Sequence, residues 1–297
     1  MTALYTWDSE IPKDLKDPVL IVALDGWIDA GYGAAAAVGH LKAQIRTNRL
    51  ITFDIDEFID QRARRPVMRL INGVNESLKW PRLQIRHGRD SVGQDILVMT
   101  GPEPDFRWHG FVAAVMEISA RLNVRLCVGF GAFPAPAPHT RTVTLGSTAT
   151  TSELAERVGF VEASFEIPAG MQAALERGFA DVGKPAVGIW ARVPHYVATM
   201  PYPAASAAVL DCLTRLTGLV IDTHELHASG QNAIAQIDQL VANNPEHLEM
   251  VRNLEAQVDA ESAQRGGART ADESFDTRNL PTGDELAAEL EKYLREQ

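Results

Sequence analysis

Continuous apolar runs recur along the first two thirds of the chain. Residues 19–24 (VLIVAL) form such a run, and residues of turn-forming type bound it on both sides. Similar runs occupy residues 96–100, 125–130 and 186–192. A short run without polar interruption is typical of a strand that is buried on both faces of a sheet. We therefore predict four buried strands at these positions.

Helical patterns follow the predicted strands. After a loop in each case, helices are expected at about residues 33–41, 108–122 and 204–216. Strands that alternate with helices favour a mainly parallel sheet covered on both faces. The pattern thus predicts an α/β protein with its main domain over residues 1–219.

The last third of the chain changes character, with helical patterns separated by an aperiodic stretch. A helical hairpin is predicted over residues 220–260, with Asp222 near its start and Pro245 at the first turn of its second helix. Residues 261–282 lack an apolar stripe and contain Gly266 and Gly267, so we predict a mobile linker. Residues 283–297 combine a capping box with an apolar stripe and read as an acidic tail helix.

Composition and charge exclude some classes of binding partner. The 297 residues are 45% hydrophobic with a net charge of −11, so the chain is globular and acidic. From residue 255 onward it has 11 acidic and 5 basic residues. Nucleic acid and anionic membranes attract clustered Lys and Arg, so we expect neither as a partner. Residues 1–18 are mixed and polar, which predicts a cytoplasmic protein without a signal peptide.

Several short motifs resemble one known family. They are GWIDAG at 26–31, DQRARRP at 60–66, GPEPD at 101–105 with Trp108, PHTR at 138–141, and PHY at 194–196 followed by PYP at 201–203. Together, and in this order, they resemble the proteasome assembly chaperone 2 family in its actinobacterial branch, although Gln61 replaces the usual Tyr. The resemblance implies a three-layer α/β/α core of the phosphorylase/hydrolase-like type. It also implies a chaperone-like protein-interaction module, with proteasome subunits as the partner.

Polar residues are concentrated in the loops that follow the predicted strands. In an open parallel sheet such loops meet at one edge, where ligands usually bind. We consider Glu103 and His139 as candidate acid/base groups and Arg141 as a candidate anion holder. The further candidate binding residues are Asp25, Trp27, Asp29, Asp105, Arg107 and His195. One interpretation is a small-molecule or catalytic site, and the other is that these residues only shape loops and a subunit contact.

The familiar chemical motifs are missing. No GxxxxGK[ST], GxGxxG or GxSxG pattern occurs. The paired ligands of structural zinc sites are absent, and His224 and His227 lack the four-residue spacing of HExxH, so we expect no cofactor. Asp25 and Asp29 flank the first loop and would repel a phosphate, which argues against nucleoside phosphorylase activity. Asp29 is instead expected to cap the following helix.

Aromatic residues in turn-rich places suggest self-association. They are Trp27, Tyr32, Phe106, Trp108 and Phe133. Exposed apolar patches usually mark interfaces, so we expect a homo-oligomer and take a trimer as the working stoichiometry. Two functions stay open: a protein-interaction module, and an enzyme or small-molecule-binding protein that uses the polar residues at the sheet edge.

Overall fold

The apolar runs form the centre of an eight-stranded sheet in the computed structural model, which describes residues 3–161, 164 and 166–266. The strands in chain order are β1 (Tyr5–Trp7), β2 (Val19–Asp25), β3 (Asn48–Phe53), β4 (Val67–Ile71), β5 (Val74–Lys79), β6 (Gln84–Arg89), β7 (Asp95–Pro102), β8 (Leu126–Ala135), β9 (Leu145–Ala149) and β10 (Ala186–Pro194). The helices are α1 (Gly33–Gln44), α2 (Ile55–Phe58), α3 (Trp108–Arg121), α4 (Ser152–Val158), α5 (Met171–Asp181), α6 (Pro203–Thr217), α7 (His224–Ala242) and α8 (Pro245–Gly266).

The sheet is mixed, with a parallel centre. Its strand order is β1-β3-β6-β7-β2-β8-β10-β9. The four strands predicted from the sequence, β7, β2, β8 and β10, are neighbours and run parallel. Antiparallel strands extend this centre, with β9 at one end and β6, β3 and β1 at the other. The predicted α/β class is confirmed, and the antiparallel margins are an addition to it.

Two hydrophobic cores lie on opposite faces of the sheet. In β2, Val19 and Ile21 belong to the core under α1 and α6, while Leu20 and Val22 belong to the core under α3 and α5. Successive side chains of a strand point to opposite faces, so an uninterrupted apolar run supplies both cores. The three-layer α/β/α arrangement predicted above is therefore confirmed.

The helical hairpin packs beside α6. Ile237 and Val241 of α7 and Val251 of α8 are buried in the same core as α6. Helix α8 continues to Gly266, so the helix extends past the boundary predicted at residue 260. The rest of the predicted linker and the tail helix over 283–297 lie outside the described residues. The domain boundaries stay predictions.

A two-stranded hairpin stands apart from the main sheet. Strands β4 and β5 pair only with each other, from Val67 opposite Lys79 to Ile71 opposite Val74. Asn72 and Gly73 form the turn with φ angles of +48° and +83°. Positive φ at both central residues is the geometry of a type I′ turn, which matches the twist of paired strands. Every residue of both strands is exposed.

None of the helices in the described part of the chain is both long and apolar enough to cross a membrane.

Candidate functional site

The loop after β2 is shaped by two glycines that a larger residue could not replace without strain. Gly26 and Gly31 have φ angles of +118° and +63°, in a region that favours glycine. A Cβ on Gly26 would lie 2.7 Å from Nη2 of Arg64, and one on Gly31 would lie 2.8 Å from Cβ of Tyr202. The loop is also tied to the loop after β10, because the N–H of Gly31 donates to the carbonyl of Ala198 at 2.6 Å. These contacts fix the position of the residues between the two glycines.

Asp29 caps helix α1, as the sequence suggests. Its Oδ1 accepts the N–H of Ala34 at 2.7 Å, and its Oδ2 accepts the N–H of Ala35 at 2.9 Å. Burial raises the pKa of Asp29, the two N–H donors oppose that rise, and the negative charge of Asp25 adds to it. Both oxygens of Asp29 are therefore committed to the helix.

A cleft of about 290 Å³ lies between this loop, the first turn of α1 and the neighbouring strands. Four predicted site residues line it: Asp25, Trp27, Asp29 and Glu103. The other polar and aromatic residues of its wall are Tyr32, Phe130, Gln172 and Trp190. The structure thus brings together only the candidates that follow the adjacent strands β2 and β7.

Glu103 joins the two loops and a helix start. Its N–H donates to the carbonyl of Asp25 at 2.7 Å, and its Oε1 accepts the N–H of Met171 at the beginning of α5. One carboxylate oxygen of Glu103 therefore has a structural role. At the neighbouring Asp25, burial raises the pKa of the carboxyl group, while Lys42 and Arg64 oppose that rise.

Asp105 and Arg107 bind the segment around α2 and do not line the cleft. Asp105 forms an ion pair with Arg64 and accepts the N–H of Asp60 at 2.8 Å. Arg107 forms an ion pair with Glu57. The ion pair of Arg64 connects the arginine-rich stretch at residues 60–66 to the loop after β7.

His139 is buried, and its backbone N–H and both ring nitrogens lie within hydrogen-bond distance of a partner. Its backbone N–H donates to Oη of Tyr196 at 2.8 Å, and its Nδ1 lies 2.7 Å from the same oxygen. Its Nε2 lies 3.0 Å from Oδ1 of Asp238 on α7. Burial raises the pKa of Tyr196 to about 12, so this hydroxyl stays protonated at neutral pH. His139 therefore links the loop after β8 to the helical hairpin.

Arg141 makes the matching link to α8. Its Nε and Nη2 donate to the two carboxylate oxygens of Asp259 at 2.9 and 2.8 Å, and its Nη1 donates to Glu255 at 3.0 Å. Such a two-pronged contact holds the partner in one orientation. Together, His139 and Arg141 fasten α7 and α8 to the edge of the sheet.

The predicted polar residues thus form separate groups with different partners. Glu103 contacts α5, whereas His139 and Arg141 contact α7 and α8. His195 is exposed, and its ring centroid lies 5.3 Å from that of Tyr196. Within the described residues, no three His, Cys, Asp or Glu side chains meet in a way that would hold a metal ion.

Gln172 and Trp190 were absent from the set suggested by the sequence. Gln172 lies on α5, whose buried Met171, Leu175 and Phe179 recur at every fourth residue. That spacing could have predicted the helix. Trp190 lies within β10, and only the sheet order places it beside the loop after β2.

The model of the PAC2 family matches residues 23–241. The chain belongs to the PAC2 family. The resemblance drawn from the sequence motifs is thereby confirmed. No functionally curated protein matches this PAC2 chain.

Solved structures of other bacterial proteins are similar over most of the chain. A Mycobacterium tuberculosis protein of unknown function is 33% identical, with a TM-score of 0.80, and the match covers 89% of this chain and 91% of that one. The M. tuberculosis proteasome-assembly chaperone homologue is also 33% identical, with a TM-score of 0.73 and coverage of 78% and 99%. A PAC2 family protein from Streptomyces avermitilis is 32% identical, with a TM-score of 0.71 and coverage of 79% and 100%. These sources agree with the actinobacterial branch.

Proposed function

We propose that this PAC2 protein is a protein-interaction module that self-associates and helps another multi-subunit complex to assemble. The first candidate partner is a proteasome subunit, because a solved relative 33% identical to the chain is described as a proteasome-assembly chaperone homologue. The observation that carries the proposal is the exposed hairpin of β4 and β5. The internal contacts of His139 and Arg141 also favour a scaffold over an acid/base site.

The hairpin exposes apolar side chains on both of its faces. Val67, Leu70 and Val74 are 69%, 58% and 66% exposed, and Ile71, next to Leu70, is 39% exposed. A two-stranded hairpin alone is marginally stable in water. Exposed apolar side chains on such an element are stabilised when another surface covers them. An exposed apolar patch of this kind is the usual sign of an interface.

A second copy of the chain is the proposed cover for the hairpin. Arg69 pairs across the strands with Glu76 at 2.9 Å, so the hairpin offers little net charge with which to select an oppositely charged partner. The apolar surface must be covered whenever the protein is folded. The one partner always present is the protein itself, which supports the homo-oligomer predicted from the sequence.

Sedimentation tests this part of the proposal. The wild-type protein is expected to sediment above the 32.4 kDa of one chain. A double variant, Leu70→Lys with Val74→Lys, should sediment as a monomer and keep its circular dichroism spectrum. Val92→Lys is the matched control, because Val92 is 64% exposed but lies outside the hairpin. A wild-type monomer, or an unchanged oligomer in the double variant, would contradict the hairpin interface.

A separate experiment tests the partner. Purified proteasome α-subunits from the same host would be mixed with the protein and followed by native mass spectrometry. We expect a complex, or faster formation of α-subunit rings, when the protein is added. Unchanged ring formation together with no complex would reject proteasome assembly as the role, whatever the oligomeric state proves to be.

Small-molecule binding is the second candidate function. The cleft beside Asp25 favours it, because concave sites with aromatic walls and a few polar groups are the usual ligand sites of proteins.

A further inference from the structure

The cleft beside β2 has a composition that selects one class of ligand. Its volume of about 290 Å³ is close to the lower end of small-molecule sites, which span roughly 300–1,000 Å³. It has room for a compact head group and little room for a nucleoside. Its chemistry goes beyond the interaction role proposed above and does not depend on it.

The charge lining the cleft is negative. Asp25, Asp29 and Glu103 contribute carboxylates, and no Lys, Arg or His is among the described residues that line it. Two cations lie near the cleft without lining it. Arg64 lies against Gly26 at the margin, but its guanidinium is paired with Asp105, and Lys42 of α1 opposes the rise in the pKa of Asp25. A negative, partly enclosed site repels anions and attracts cations.

Asp25 is the carboxylate available to a ligand. Both oxygens of Asp29 and one oxygen of Glu103 already accept backbone N–H groups. In contrast, no donor within the described part of the chain bonds to the side chain of Asp25. A hard metal ion requires several free oxygen ligands, so this arrangement suits a metal poorly.

Four aromatic rings also line the cleft. Trp27, Tyr32, Phe130 and Trp190 line the cleft, and Trp190 is held in place by donation from its Nε1 to Oγ1 of Thr148 at 3.2 Å. The faces of such rings attract cations, most strongly those of tryptophan. Aromatic walls with one free carboxylate are the combination that recognises ammonium groups.

We propose that this cleft binds a small organic cation, a primary or quaternary ammonium group, through Asp25 and the rings of Trp27 and Trp190. The ammonium group has two sources: a free amine and the side chain of a lysine. The chemistry of recognition is the same for both, and the experiment distinguishes them.

Calorimetric titration with matched probes tests the site. Choline and n-butylammonium carry the charge, whereas 3,3-dimethylbutan-1-ol is a neutral molecule with the shape of choline. We expect the cations to bind at least roughly tenfold more tightly than the neutral molecule, since an ion pair and a cation–π contact act together. Nα-acetyl-lysine amide probes the second source.

Variants connect the binding to the residues. Asp25→Asn should weaken cation binding at least roughly tenfold, and Trp27→Leu by roughly three- to tenfold. Glu10→Gln is the control, because it removes one exposed charge outside the cleft and should leave binding unchanged. Melting curves of each variant establish that it is folded.

Each possible result either supports or overturns the cation-binding proposal. Binding of the free cations without the lysine probe supports a free amine, and binding of the lysine probe as well supports a protein side chain. Equal binding of choline and its neutral counterpart, the same affinity in Asp25→Asn, or no heat from any cation at millimolar concentrations would overturn the proposal. The sedimentation experiment does not involve the cleft, so it tests the interaction role independently of cation binding.

Discussion

Glu176 is a buried carboxyl group whose ionisation should make the stability of the protein depend on pH. It lies on α5, is only 9% exposed, and accepts a hydrogen bond from Oγ1 of Thr148 at 2.9 Å. The amide of Gln172 lies 3.4 Å from the same oxygen. Burial raises the pKa of Glu176 from 4.5 to about 7, and these two donors only partly oppose that rise.

The sign and size of the effect follow from the difference in pKa between the folded and unfolded states. Between about pH 4.5 and 7 the unfolded chain has released this proton while the folded chain retains it. The free energy of unfolding therefore falls as pH rises through this window, and the contribution of Glu176 is fully lost above it. A shift from 4.5 to about 7 corresponds to about 3 kcal/mol.

The substitution Glu176→Gln isolates this contribution. The amide does not titrate, and its oxygen can still accept the hydrogen bond from Thr148. Relative to the wild type, the variant should become more stable as pH rises, by about 3 kcal/mol between about pH 4 and 8. Urea unfolding at a fixed protein concentration, repeated across this range, measures the difference directly.

Exposed Glu156 on α4 provides the control, since Glu156→Gln removes the same charge from the surface. The difference between this control and the wild type should change little with pH. If the curve for Glu176→Gln instead runs parallel to that of the wild type from about pH 4 to 8, the assigned pKa of Glu176 is wrong.

Further predictions concern the loops at the edge of the sheet. Asp29→Ala should lower the free energy of unfolding by about 1–2 kcal/mol, while Asp29→Asn should keep most of the wild-type stability. Equal stability of the wild type and both variants in urea would refute the role of Asp29 as a helix cap. His139→Ala should speed amide hydrogen exchange in α7, because the link to Asp238 is lost. Arg141→Ala should change this exchange less than His139→Ala does, because its ion pairs with Glu255 and Asp259 are open to solvent. Unchanged exchange in α7 of His139→Ala would refute the link between the loop after β8 and the helical hairpin. Nucleosides mixed with phosphate should release no base, whereas turnover near ~1 s⁻¹ would contradict the electrostatic argument against phosphate.

The centre of the fold could be predicted from the sequence because its strands are buried on both faces. Runs such as residues 19–24 are typical of strands buried on both faces. The order of strands and helices then favours the α/β class. The margins could not be predicted in the same way. Strand β6 (QIRHGR) is half covered and contains three basic residues, so its burial depends on neighbours that the sequence does not specify. The hairpin is missing from the elements predicted above, although Asn72 followed by Gly73 is a strong turn signal.

The candidate site was predictable only in part. Loops that follow parallel strands do share one edge, as the sequence suggests. Strand β2 lies between β7 and β8, so the strand order alone would allow the loop after either strand to approach Asp25. Glu103 in the loop after β7 does so, whereas the loop after β8 turns its His139 towards α7. That last contact joins residues 99 positions apart, and no local pattern predicts it.

Strand β2 also determines when the protein can fold during its synthesis. Its two sheet neighbours both come later in the chain: Val19 pairs with Ile96 of β7 and with Leu126 of β8. At about 5–20 residues per second, a ribosome needs roughly 5–20 s to add the chain from the end of β2 to the end of β8. Both edges of this apolar strand are unpaired on the nascent chain until β7 has been made, and one edge stays unpaired until β8 follows, so the strand can pair with other chains. The central position of an early strand therefore prolongs the time during which a strand edge is open to wrong pairing. We expect the yield of folded protein to be higher when a chaperone that holds nascent chains is present during synthesis.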